Sequence, residues 1–484
     1  MTGSTKPTGW RWKGAVVVLA AAVALLAGLG REPSKVEAEQ RCEAIVRDMA
    51  GGGGWLVPSI GGEVRPQKPP LFYWCSALAC KAAGGFGLAA FRLPSALAAI
   101  GVLLLVLAWG RELRAPGEAV FAAAVLAVTY EFLAQGRRGS YEMLLAFLAN
   151  ASLLAGYRAC REPGAARVAI ASALLALALM AKATPALLFA PLPLAVWAVA
   201  QRRPRMLLDR RAWLALLAAL VGVVSWYAYI WFSAPEVRWF IQAQFLQPFG
   251  IQVGPPATAH HLHPPWWYFG SLGRKGLLLS LVIPLLALRE WRERRTEGWS
   301  SPWRLLLLAV VVPFAVLSCL PTKQDHYLLP MLPSLALLAA RASVWAIHEA
   351  RGLPLRLLRI PALLVLVLAV AAGTAGGPAL GLLGLPVRLS VTLAGAGIAA
   401  LAALSIFACV RARVPMAALA GYLAVVSGWT LYFAEIHPDV APLVRAASSA
   451  TGSPRGSTSP PPRPSDARRG TSRGGEGARP GGPP

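Results

Sequence analysis

Apolar runs long enough to cross a bilayer recur from Ala15 to Phe433, and no other feature constrains the fold of this chain so tightly. They fall at 14–30, 88–109, 117–135, 141–157, 167–181, 184–200, 212–233, 266–288, 304–320, 326–346, 358–376, 388–410 and 414–434. That is about thirteen helices. A soluble chain of this length needs a charged surface, and with 56% hydrophobic and 14% charged residues the material for one is missing. The fold class expected is therefore an all-α polytopic membrane protein, with a transmembrane domain over 1–445. The remainder, 446–484, is Pro, Gly, Ser and Arg with almost no large apolar residue, a composition that cannot bury a core and reads as a disordered tail.

The net charge of +25 would suit a nucleic-acid binder, but its distribution excludes one. The cations sit in short loops between the apolar runs and in the tail. Lys6, Arg11 and Lys13 precede the first run and hold the N-terminus inside; the short Ala-rich run resembles a signal peptide, although the many later spans favour an uncleaved first helix. Alternation then places inside the loops carrying Arg111/Arg114, Arg158/Arg161/Arg167, Arg202/Arg203/Arg205/Arg210/Arg211, Arg289/Arg292/Arg294/Arg295, Arg351/Arg356/Arg359 and Arg411/Arg413. Opposite loops carry few cations, such as Arg137/Arg138, Lys182 and Lys323, which is the asymmetry that orients membrane proteins. The expected location is a bacterial-type inner membrane, with three unusual outer segments: 31–87, 234–265 and 321–326.

The first of these is the richest. Cys42, Ile45, Val46 and Met49 follow at i, i+3, i+4 and i+7, one apolar stripe of a short helix lying on the membrane surface. Glu39, Glu43 and Arg47 occupy another face, where a solvated charged surface is the plain alternative to catalysis. Further on, Lys68 stands before Pro69 and Pro70 and the aromatics Phe72, Tyr73 and Trp74. Prolines fix the backbone and the aromatics belong at headgroup depth, so an ammonium is held where a lipid phosphate would lie. A snorkelling anchor lysine is the plain alternative. Cys42 with Cys75 or Cys80 leaves open a disulfide in an oxidising compartment. His260, His261 and His263 cluster in the second outer segment, with no acidic or Cys ligand at motif spacing; a loop over the site is the expected role, and a divalent metal is left open. Arg274 and Lys275 interrupt an apolar stretch, where charges usually face a polar cavity, and Arg238 is a further cation of the second outer segment.

These segments resemble the lipid-carrier glycosyltransferases of GT-C fold, a family that includes the lipid A aminoarabinose transferases and the protein mannosyltransferases. The resemblance rests on Ala38-Glu39-Gln40-Arg41 with Ile45-Val46-Arg47-Asp48-Met49, on WLVP at 55–58, KPPLFYW at 68–74 and FRLPSAL at 91–97, and on PTKQDHYLLPMLPSLALLAA at 321–340. It implies a sugar donor linked to polyprenyl phosphate, transferred with inversion to an extracytoplasmic lipid, glycan or protein, without a nucleotide or other cofactor. It implies carrier-phosphate contacts from Arg41, Lys68, Tyr73, Lys323, His326 and Tyr327, joined by Arg274 or Lys275. The family commonly has an Asp where this chain has Ala38, so Glu39 is the expected catalytic carboxylate, with Glu142 at the family's second acidic position. A member that binds carrier and transfers nothing, and a lipid or solute transporter, are the rival readings.

Overall fold

In the computed structural model the described residues are 8–349, apart from 32, 35, 67, 203–209, 252, 254–260, 276 and 281. The expected spans 358–376, 388–410 and 414–434, and the tail, lie outside them. Among the described residues six helices are long and apolar enough to cross a membrane, and a bent pair supplies a seventh. The chain is a multi-pass, mostly helical membrane protein.

Helix α1 (Thr8–Leu26) enters first, and its apolar residues Leu19 and Val23 face outward. Helix α2 (Glu37–Ala50) is the expected surface helix, and its stripe of Cys42, Ile45, Val46 and Met49 is buried. A two-residue hairpin, β1 (Ser59–Ile60) and β2 (Glu63–Val64), pairs Ser59 with Val64. Its turn needs left-handed backbone at both central positions, and Gly61 and Gly62 supply it with φ of 59° and 86°. Pro69 and Pro70 then start α3 (Leu71–Ala82), an element the sequence left as mixed loop. The apolar faces of α2 and α3 close on each other and on Phe91 through Phe72, Tyr73, Ala77 and Cys80.

The bundle follows. Helices α4 (Leu88–Glu112), α5 (Pro116–Ala127), α6 (Tyr130–Gly136) and α7 (Tyr141–Arg161) form its centre. The expected span 117–135 is not one helix: α5 and α6 meet at 70°. Polar residues explain the break, because Thr129 turns its hydroxyl back onto Val125 O, and Glu131 and Gln135 are buried together on α6. Around the centre stand α8 (Ala165–Ala181), α9 (Ala183–Phe189), α10 (Pro191–Ala200), α11 (Arg210–Ser233) and α12 (Arg238–Leu246). The outward apolar face of α11, with Trp213, Leu214, Leu217 and Val221 exposed, is the surface acyl chains would cover.

Within and just beyond the expected span 266–288 stand α13 (Trp267–Lys275), α14 (Leu277–Ser280) and α15 (Ile283–Glu293). Helix α16 (Pro302–Cys319), a 3₁₀ segment over Asp325–Met331 and α17 (Leu332–Glu349) complete the described fold. Apolar burial drives little association between helices surrounded by lipid, so close packing at small residues carries more of the load. A Cβ at Gly101 would meet Phe147 at 2.6 Å, one at Gly110 would meet Ala119 at 2.4 Å, and one at Gly156 would meet Leu194 at 2.6 Å.

Candidate active site

The site rests on a buried latch. Glu39 reaches from α2 to α4, where its Oε1 accepts from Arg92 Nε at 2.8 Å and from the Gly139 amide at 2.8 Å. Arg92 donates in turn to Leu29 O at 2.9 Å, and both members of the pair are buried. Gly139 is required here: a Cβ would stand 2.2 Å from Phe91. Ser95 ties the next residue by donating to Ser140 O. The start of α7 is thereby fixed against the surface helix.

One residue further on, Glu142 is the centre of a convergent cluster. Its Oε1 accepts from Lys182 Nζ at 2.7 Å and lies 3.1 Å from His326 Nε2. Lys182 also sits 4.8 Å from the Tyr327 ring and 5.3 Å from the Tyr141 ring. The 3₁₀ segment carrying His326 and Tyr327 is held to α7 by Asn150, which donates to Pro330 O at 2.8 Å. Lys68 joins from the first outer segment and donates to Gln244 of α12. Burial, followed by repulsion from Lys182, draws the Lys68 ammonium down to about 7, and Glu142 opposes that fall. Lys68, Glu142, Lys182, His326 and Tyr327 thus come together from four stretches of chain, and one carboxylate serves two lysines. A surplus of positive charge in a buried site is a place for an anion.

The other expected residues are placed as follows. Arg41 is on the exposed side of α2, paired with Glu37. Tyr73 is buried and hydrogen-bonded to Cys42; burial pushes the Cys42 thiol up to about 12 and the Tyr73 hydroxyl well above its usual value, so both are neutral. Cys42, Cys75 and Cys80 are free thiols, so neither disulfide left open by the sequence is formed. Lys323 is buried with its ammonium on the carbonyls of His263, at 3.1 Å, and Leu320, while its amide donates to His261 O. These contacts pin the 261–263 segment beside 320–323. His263 stacks on Trp267, and His260 lies outside the described residues. Lys275 lies 3.8 Å from Glu131 and 3.9 Å from Asp325, and Ser271 donates to Asp325 at 2.6 Å. Arg274 stands on α13, with its side chain outside the described part of the structure. Arg238 donates to Trp231 O.

Sequence reasoning did not nominate Lys182, Gln244 or Arg92 for the site. Lys182 carried a signal, since it stands alone among apolar residues between α8 and α9, where a charge rarely survives without a partner. Arg92 lies within a stretch otherwise legible only as membrane helix, and its partner is 53 residues away.

Comparison with known proteins shows what the chain is similar to. Residues 67–229 match the family model described as dolichyl-phosphate-mannose-protein mannosyltransferase. An undecaprenyl phosphate-α-4-amino-4-deoxy-L-arabinose arabinosyl transferase of Pseudomonas savastanoi is 29% identical over 71% of this chain and 63% of its own length. That of Pseudomonas aeruginosa is 30% identical over 66% of this chain and 57% of its own. The chain therefore spans about six tenths of the length of the curated relatives it matches. The crystal structure of ArnT from Cupriavidus metallidurans bound to undecaprenyl phosphate superposes with a TM-score of 0.69 at 19% identity, covering 92% of this chain and 80% of that one. With the motifs at 38–49, 55–74, 91–97 and 321–340, these comparisons support one reading: the chain has the GT-C fold of the ArnT structure and is similar to the lipid-carrier glycosyltransferases named here.

Proposed function

We propose that this chain transfers a sugar from a polyprenyl-phosphate carrier to an acceptor lipid, glycan or protein on the extracytoplasmic side of the inner membrane. The observation that carries this reading is the grouping of Lys68, Lys182 and Tyr327 around Glu142 and His326. The relatives are named for undecaprenyl-phosphate-linked donors, and the ArnT structure was solved with undecaprenyl phosphate. The distribution of basic loops supports an orientation with the opposite end of the bundle inside.

Breaking the sugar–phosphate bond leaves an anionic lipid phosphate, and its developing charge is what the site must stabilise. Lys68 and Lys182 supply cations and Tyr327 a hydroxyl, with Arg41 arriving from the exposed side of α2. Glu142 is the carboxylate placed among them, so it takes the proton of an acceptor hydroxyl, and His326 orients it. Attack opposite the leaving phosphate inverts the anomeric carbon. Glu39, fully engaged by Arg92 and Gly139, acts as a positioning residue that sets the start of α7. Lys323 holds the outer loop, Tyr73 closes the site wall against Cys42, and Lys275 with Arg274 lies beside the 3₁₀ segment for the acceptor.

The test is release of labelled sugar from a carrier-linked donor by the purified full chain, offered envelope lipid, glycan and peptide acceptors. Wild type is expected to transfer, Glu142→Gln to bind carrier without transfer, and Lys68→Met to lose carrier affinity. Carrier binding with no release to any acceptor would instead identify a non-catalytic member. Full activity in both variants would remove the assigned site.

A further inference from the structure

Helix α7 carries Glu142 at one end and Arg161 at the other, about 28 Å away at 1.5 Å per residue, close to one hydrocarbon thickness. At that far end lies a cavity of about 450 Å³ between α4, α7, α16 and α17. Tyr157 and Trp303 line it and are buried. One wall is an ion pair, Arg341 on Glu297 at 2.8 and 3.1 Å. Glu112, also in the lining, is matched by Arg158 at 2.8 Å. Both carboxylates of the cavity are thus neutralised.

Two cations at the mouth are not. Among the described residues Arg161 donates to the Tyr157 hydroxyl at 3.3 Å and lies over its ring, with Glu112 and Glu162 near but not within ion-pair distance, and Arg114 makes no side-chain ion pair. Arg114 is also held at φ 54°, the left-handed stop of α4, a position that Gly fills at least cost. The chain keeps a guanidinium there against that preference. Exposed tryptophans mark the same end as the headgroup level: Trp299 follows α15, and Trp12 stands two residues from Trp10, which packs at Gly117.

We propose that this cavity binds the phosphate of an anionic phospholipid headgroup in the leaflet opposite the active site. Arg114 and Arg161 would hold the phosphate oxygens through paired N–H donors, and Tyr157 and Trp303 would form the floor beneath it. The site is separate from the transfer reaction and does not depend on it.

The test uses the full chain in detergent, titrated with phosphatidylglycerol, phosphatidylcholine or inorganic phosphate, and read by native mass spectrometry and thermal unfolding. Wild type should retain a phosphatidylglycerol adduct and unfold at higher temperature with it. Arg114→Gly with Arg161→Gln should lose that adduct, with affinity down at least about tenfold, whereas its unliganded unfolding temperature is unchanged or higher because glycine relaxes the strained position. Should the double variant not fold, Arg161→Gln alone, on an exposed side chain, should weaken the adduct about threefold or more. Unchanged affinity in the variants, equal binding of phosphatidylcholine, or equal stabilisation by inorganic phosphate would each overturn the assignment.

Discussion

Replacing Glu142 by Gln keeps the shape of the side chain and removes the one charge that matches Lys182. The ammonium is buried, so it must either stay charged without a partner or give up its proton. Neutralising a lysine of ordinary pKa at pH 7 costs about 4.6 kcal/mol, at about 1.36 kcal/mol per pH unit, which caps the penalty. Breaking a buried pair from one side typically costs about 3–5 kcal/mol, in agreement with that cap. Removing both charges leaves no orphan, so Glu142→Gln with Lys182→Met should recover most of the loss. Activity should not recover, because both the carboxylate and a phosphate contact are gone; a fall of about 10²–10⁴ is expected for the loss of a general base alone. Reversible unfolding in mixed micelles, run beside the transfer assay on both single variants and the double, gives the four corners of the cycle. A Glu142→Gln variant within about 0.5 kcal/mol of wild type, or a double variant as unstable as the two singles summed, would refute the buried-pair argument.

Four further outcomes follow from the same geometry. Carrier binding needs the Lys68 ammonium, whose pKa is drawn down to about 7, so affinity should fall as pH rises from 7 to 9, and Lys68→Arg should flatten that profile; a flat wild-type profile would contradict the assignment. The folded state binds fewer protons than the unfolded one between about 7 and the ordinary lysine value, so this lysine's contribution makes stability rise with pH across that window. Gly139→Ala drives a Cβ into Phe91 and moves the amide that Glu39 accepts from, so it should cost about 1–3 kcal/mol and reduce transfer, whereas Gly164→Ala, in open space, should do neither. Lys323→Met should speed proteolysis near 261–263 and leave carrier affinity within about twofold, because its ammonium is spent on carbonyls; a tenfold loss of affinity would return it to the phosphate site.

The membrane architecture was legible wherever an apolar run was unbroken, as at 88–109 and 141–157, which became α4 and α7. It failed where polar residues sat inside a run. Glu131 and Gln135 bend 117–135, yet averaged hydropathy counts that run as whole. Lys68 was legible because its neighbours announce depth and rigidity through Pro69, Pro70 and the aromatic cluster. Glu142 was legible from motif position, and its partners were not: Lys182 and His326 approach from α8–α9 and the 3₁₀ segment, a meeting that packing alone decides. The role expected of Glu39 is the instructive case. Its carboxylate is paired with Arg92, which lies in a segment legible in the sequence only as lipid anchor or span.

The grip of Arg92 and the Gly139 amide on Glu39 also orders events during biosynthesis. Helix α2 leaves the ribosome roughly a hundred residues before its last anchor, so its carboxylate has no partner at Gly139 until α4 and the turn ahead of α7 are made. Only then can its carboxylate leave solvent without a lasting penalty. The proposed catalytic face is therefore finished late, by an early segment docking onto helices that were made after it.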